Sequence, residues 1–146
     1  MAILQDYLDR MSDAVMGGDY AVYAAGVALP FTLVTAEDEI TVETDAALRQ
    51  GFDAYHEMLT MQNATDMIRI AKRAEPRGDG LVAGRYQTNI LANGQRIFDA
   101  FDSDIVLRAA PSGWRAVWIS NDMRNARWPI HLPFLSRPRP TPTGET

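Results

Sequence analysis

At 146 residues, with 14 Lys plus Arg against 19 Asp plus Glu and 47% hydrophobic positions, the chain has the size and balance of one globular domain. A folded chain of this length buries roughly 68 to 70% of the surface its unfolded form exposes, enough for a core without staples. The absence of cysteine excludes disulfides, thiolate catalysis and Cys-held zinc or iron–sulfur centres.

Met1 to Arg10 shows no basic start followed by an apolar run, and nowhere do 18 consecutive apolar residues occur. The expectation is therefore a cytoplasmic protein, with no membrane partner. Residues 1–61 hold 11 acids and only Arg10 and Arg49 as bases, while the bases of the middle are interspersed with acids. An acidic first half repels a phosphate backbone, so no nucleic-acid partner is expected. All bases but Lys72 are arginine, as a GC-rich bacterial genome would produce.

From Ile3 to Met16, Leu4, Leu8, Met11 and Val15 recur at helical spacing, and Gly17-Gly18 supplies a left-handed stop. Asp19 is placed to cap a short, Ala-rich second helix running to about Gly26. Pro30 bars a helix beyond it, and Phe31 to Thr35 followed by Ile40 to Val42 reads as a β-branched hairpin. Thr44 or Asp45 caps a third helix, whose Leu48, Phe52, Tyr55 or His56, and Leu59 form one stripe before Asn63. The period then changes from 3.6 to 2. Turn signals at 77–80, Asn93-Gly94 and 109–113 divide the remainder into four antiparallel strands, about 65–75, 80–92, 95–108 and 114–123. Residues 125–146 form a Pro-rich extension in which proline blocks a helix or central strand.

This order, helix, helix, hairpin, helix and four strands, defines an α+β domain over residues 1–124. Three stretches give it a family resemblance: Met16-Gly17-Gly18-Asp19-Tyr20, the helix from Asp45 through Phe52 and Tyr55, and Phe101 to Arg108 followed by Ser112-Gly113-Trp114-Arg115. Together they resemble the nuclear transport factor 2-like superfamily, in its SnoaL-like and ketosteroid-isomerase-like branch. The resemblance implies a cone-shaped cystatin-like roll, three helices packed on a curved antiparallel sheet, with a pocket between them. It also implies a homodimer. Fold of this kind constrains function poorly.

Counting outward from a five-residue loop at 109–113 sets Asp104 opposite Trp118 and Asp102 opposite Ser120. Counting from Asn93-Gly94 sets Arg85 opposite Asp102, Gln87 opposite Ala100 and Asn89 opposite Phe98. Arg85, Gln87, Asn89, Asp102, Asp104, Trp118 and Ser120 then share one sheet face, a polar wall for a pocket. A four-residue loop would slip this pairing and send the aspartates to the other side. The opposite face holds Tyr86, Ile90, Ile97, Phe101, Ile105, Leu107, Val117 and Ile119, which need covering by the helices or by a second subunit.

In the ketosteroid-isomerase-like pattern a protonated aspartic acid precedes the last turn, and Asp104 matches that position. Burial beside Trp118 would raise its pKa as such an acid requires. That family's helix-1 tyrosine falls near Met11 and its general-base aspartate near Thr35, a departure that counts against steroid isomerisation. SnoaL-like cyclases use an acid late in the sheet, a role open to Asp102 or Asp104. The expected catalytic residues are thus Asp104, Asp102 and His56, the last as a general base. The expected ligand contacts are Tyr55, Arg85, Gln87, Asn89, Trp118 and Ser120. Competing readings make Arg85 with Asp102 a cross-strand ion pair and His56 a packing residue. Two histidines without paired spacing suggest no metal, and nothing points to a cofactor. Two functions remain in balance: an isomerase, cyclase or hydrolase acting on a small, mostly apolar, carbonyl-containing molecule, and a ligand-binding or dimer-forming module without chemistry.

Overall fold

A computed structural model of the chain describes residues 1–36 and 38–121. The Pro-rich extension lies outside the described residues. Helix α1 spans Ala2–Gly17 and ends where Gly18 takes φ 73°, so that its N–H and that of Asp19 both reach the Ala14 carbonyl. Asp19 accepts a hydrogen bond from the Val22 amide and so starts helix α2, Tyr20–Ala25. Strand β1, Val27–Val34, turns back into β2, Glu39–Val42, and Thr44 caps helix α3, Asp45–Met61, by accepting from the Ala47 amide.

The second half supplies β3 (Asp66–Pro76), β4 (Leu81–Ala92), the two-residue β5 (Gln95–Arg96), β6 (Phe101–Ala110) and β7 (Gly113–Asn121). They join β1 and β2 in one sheet of order β2-β1-β7-β6-β4-β3, with β5 beside β4. The sheet is mixed, correcting the purely antiparallel expectation: β1 runs parallel to β7. Pro30 sits where that pairing is interrupted between Val27 and Thr32, because a residue without an N–H cannot feed the ladder.

The expected register is corrected twice, and both corrections keep the side chains on their expected face. Ala92 pairs with Gln95 as the Asn93-Gly94 turn requires, but the chain leaves the sheet after Arg96 and returns two positions out of step. Arg85 therefore faces Asp104, Gln87 faces Asp102, and Asn89 has no β6 partner. At the last turn Ala110 pairs with Gly113, an odd slip that alone would reverse the face. A bulge at Val117 adds a second slip, so Asp104 faces Ser120 and Val106 faces Trp118. A further bulge at Lys72 interrupts β3. Extra residues of this kind bend and twist a sheet, and these two lie near mid-strand.

Leu4, Leu8, Met11 and Val15 of α1 are all buried; the first three join Tyr86, Ile105, Leu107 and Ala116 of the inner sheet face in one cluster, and Val15 packs with the α3 residues. A second cluster joins Phe52, Tyr55, Met58 and Leu59 of α3 to Met67 and Ile90. The apolar sheet face is thus covered by the chain's own helices. The polar face bearing Asp102 and Asp104 turns the other way.

Candidate functional site

Under the helices the core is incomplete. A hollow of about 50 Å³, partly open to solvent, is lined by Tyr7, Tyr23, Tyr55, Tyr86 and Arg69 together with apolar side chains of α1, β1, β6 and β7. Arg69 comes from β3, where strand alternation puts it in phase with the buried Met67 and Ala71. Gln5 of α1 fixes that stretch of edge strand, donating to the Arg69 carbonyl (2.7 Å) and accepting from the Ala71 amide (2.8 Å). A side-chain amide here supplies the partner that an edge strand lacks.

The Arg69 guanidinium donates from Nη2 to the Tyr55 hydroxyl (3.1 Å) and from Nη1 to Ser12 (3.4 Å), and its Cζ lies 6.0 Å from the centre of the Tyr86 ring. Its Nε is buried and has no hydrogen-bond partner. None of the residues lining the hollow is acidic. Burial alone lowers the affinity of Arg69 for its proton, but the facing Tyr55, Tyr86, Tyr23 and Tyr7 outweigh it and the net shift is upward. Burial is also the main cause that pushes Tyr7, Tyr23 and Tyr55 up. At neutral pH the hollow therefore contains one cation facing Tyr7, Tyr23 and Tyr55 as neutral phenols, with no acidic residue in its lining. Tyr7 spends its hydroxyl proton on the Gly26 carbonyl (2.8 Å), tying α1 to the start of β1.

The residues named from the sequence separate into three places. Tyr55 lies in the hollow. Arg85, Gln87, Asn89, Asp102, Asp104, Trp118 and Ser120 share one sheet face, as expected, but it is the outer one. There Arg85 pairs with Asp104 (3.0 Å) and Asp102 (3.4 Å), and Lys72 pairs with Asp102 (3.1 Å). Asp104 is 44% exposed and ion-paired, in place of the burial beside Trp118 that was expected of it. Asn89 is buried and fully occupied, donating to the Ile68 carbonyl and to Gln87 and accepting from Arg96. Asp104 and Trp118 do border a concavity with Arg73, Glu75 and Arg77, but it is a half-open groove.

His56 occupies the third place, the seam between α3 and the α1–α2 turn. Its Nδ1 lies 2.8 Å from the Val15 carbonyl, and the ring stacks parallel to Phe52 at 6.3 Å. A Cβ at residue 18 would come within 3.1 Å of its Nε2, so the glycine there serves packing as well as helix termination. Among the described residues no group of three or more His, Asp or Glu is placed to hold a metal ion. No helix among them is long and apolar enough to cross a membrane.

Arg69, Tyr7 and Tyr23 were not singled out by sequence, and Tyr86 was placed only on the apolar sheet face that needed covering. The available signal was an arginine at the apolar phase of a strand, between Met67 and Ala71. Tyr7 also stood one turn before Met11, the position matched to the family's helix-1 tyrosine.

The architecture is that of a known fold class. An NTF-2-like protein of unknown function from Shewanella oneidensis superposes with a TM-score of 0.65 over 84% of this chain and 98% of its own, at 9% identity. An NTF2-like protein with a cystatin-like fold from Novosphingobium aromaticivorans gives 0.63 over 90% and 86%, at 14% identity. A domain of unknown function with a cystatin-like fold from Nostoc punctiforme gives 0.61 over 85% and 76%, at 16% identity. The chain thus has the cystatin-like fold of nuclear transport factor 2-like proteins. No family model and no curated protein matches its sequence.

Proposed function

We propose that the chain is a small-molecule binding protein whose ligand enters the hollow between α1, α2, α3 and the inner sheet face. One observation carries this reading: a half-buried, positively charged Arg69, its Nε shielded from water and without an acceptor, lines an unfilled space together with four tyrosines and no acid. A protein interior normally fills such a space or pairs such a charge. Binding without acid–base chemistry is favoured over the aspartate mechanism, because both aspartates are engaged in ion pairs on the outer face.

An Ala116→Leu variant tests the reading. Ala116 is fully buried and lines the hollow, and a leucine there occupies the space. A fragment screen followed by two-dimensional NMR should give ligands whose footprint falls on Tyr23, Tyr55 and Ile105, and these should be lost in the variant while its spectrum stays folded. A footprint confined to Asp104, Arg73 and Trp118 would move the site to the outer groove.

A second reading concerns assembly. Ile68 and Ile70 are about half exposed on the outer face that also carries Trp118. We infer that this face joins two copies of the chain, since half-exposed isoleucines on its edge strand, on the same face as a tryptophan, favour a protein partner over water. Sedimentation should show a dimer that Ile70→Lys dissociates. A monomer at high micromolar concentration overturns it.

A further inference from the structure

We propose that the hollow is a site for a small monocarboxylate, whose carboxylate meets the Arg69 guanidinium and whose short apolar remainder contacts Leu8, Val27 and Ile119. This rests on the binding reading above and adds the chemical class of the ligand.

The charge argument comes first. A guanidinium has five N–H donors, of which Arg69 commits two to side chains, one of them over a long 3.4 Å. Arg69 forms none of the ion pairs found among the described residues, and its buried Nε has no acceptor. Arg69 is half-buried, with its inner donor shielded from water and met by no anion, and adding an anion there supplies the missing acceptor. The planar fork matches a carboxylate, which accepts through two oxygens. No acidic side chain lines the hollow to repel a negative charge.

Size and polarity narrow the class. An apolar cavity that admits benzene measures about 150 Å³, three times this hollow, whereas one water needs only about 10 to 15 Å³. Steroids and bicyclic substrates are excluded from the space as it stands. An acid the size of acetate, or the carboxylate end of a longer one such as butyrate reaching through the open side, is of the right scale. The aliphatic part of the lining, Leu8, Val27, Ile105, Ala116 and Ile119, suits a hydrocarbon stub better than a second polar group.

The test uses the full chain and a matched pair, butyrate and butyramide, titrated by NMR and calorimetry at constant ionic strength. Butyrate should bind at least about tenfold more tightly than the amide, the factor that charge-assisted hydrogen bonds supply. Its footprint should include Tyr7, Tyr55 and Tyr86. Octanoate binding more tightly than acetate or butyrate identifies the head of a longer acid, and the reverse order identifies a free short acid. Arg69→Lys should keep part of the preference and Arg69→Gln should abolish it. The pair titrated on the unaltered chain decides the matter even if the Gln variant does not fold. Equal binding of acid and amide in the hollow overturns the carboxylate assignment and leaves the binding reading standing. Failure of both to perturb the hollow, or butyrate shifts confined to surface residues such as Arg73 and Arg77, overturns both.

Discussion

Gly84 shows how closely the inner face is fitted. A methyl group there would lie 2.6 Å from Leu4 Cδ2 and 3.0 Å from the Arg73 carbonyl oxygen, and the latter is backbone. Gly84→Ala should therefore destabilise the fold by about 1 to 3 kcal/mol, the range for an overpacked core, read as a fall in thermal midpoint. Asp104 offers the contrasting case. Its pairing with Arg85 is partly exposed, and pairs of this kind contribute at most about 1 kcal/mol. Asp104→Asn should keep stability within that margin by denaturant titration and leave ligand affinity in the hollow unchanged. A large loss of affinity would return the aspartate to the binding machinery. The two variants separate a residue with no room to change from one chosen mainly for solvent.

Helix termini and bulges carry the next level of organisation. Thr44 is exposed, yet its hydroxyl accepts from the Ala47 amide and begins the helix that brings Phe52, Tyr55 and Leu59 into the core. Thr44→Ala should cost about 1 kcal/mol, measured by chemical denaturation, because the amide loses its acceptor. The caps and helix stripes were legible in the chain, since both depend on residues within one or two turns of each other. Strand register was not. The turn at Asn93-Gly94 set its own neighbours as expected, but the excursion over residues 97–100 and the extra residue Val117 moved the pairing further along. No local pattern marks Val117 as a bulge. It falls between the Val27–Ala116 and Thr32–Trp118 pairs, where the ladder with β1 is interrupted, and β1 lies more than eighty residues away along the chain.

Across the molecule, the same burial that leaves the hollow neutral ties stability to alkaline pH. Tyr7, Tyr23 and Tyr55 all have pKa values raised above the ordinary 10.0, chiefly by burial. An unfolded chain releases those protons near pH 10 while the folded chain keeps them. The unfolded state then binds fewer protons than the native state, so stability falls as pH rises past 10 and is unaffected by these groups below it. Denaturant midpoints measured from pH 8 to 11 should be flat and then drop steeply. In a Tyr7→Phe variant the drop should be shallower.

The alternation of apolar residues and the caps between them were enough to specify an α+β domain, the order of its elements and the membership of each sheet face. Those properties follow from side-chain periodicity along a single segment. Which face the helices would cover was a different question, and the acidic face proved to be the outer one. Helices burying Leu4, Leu8, Phe52 and Leu59 gain more against Tyr86, Ile105 and Leu107 than against a face carrying Arg85, Asp102 and Asp104, which would have to shed water. Only the assembled sheet shows that choice, and with it the meeting of Arg69 from β3 with tyrosines from α1, α2, α3 and β4. A half-buried charge becomes conspicuous when everything around it is in place, because the missing counter-charge is a property of the surroundings and not of the strand.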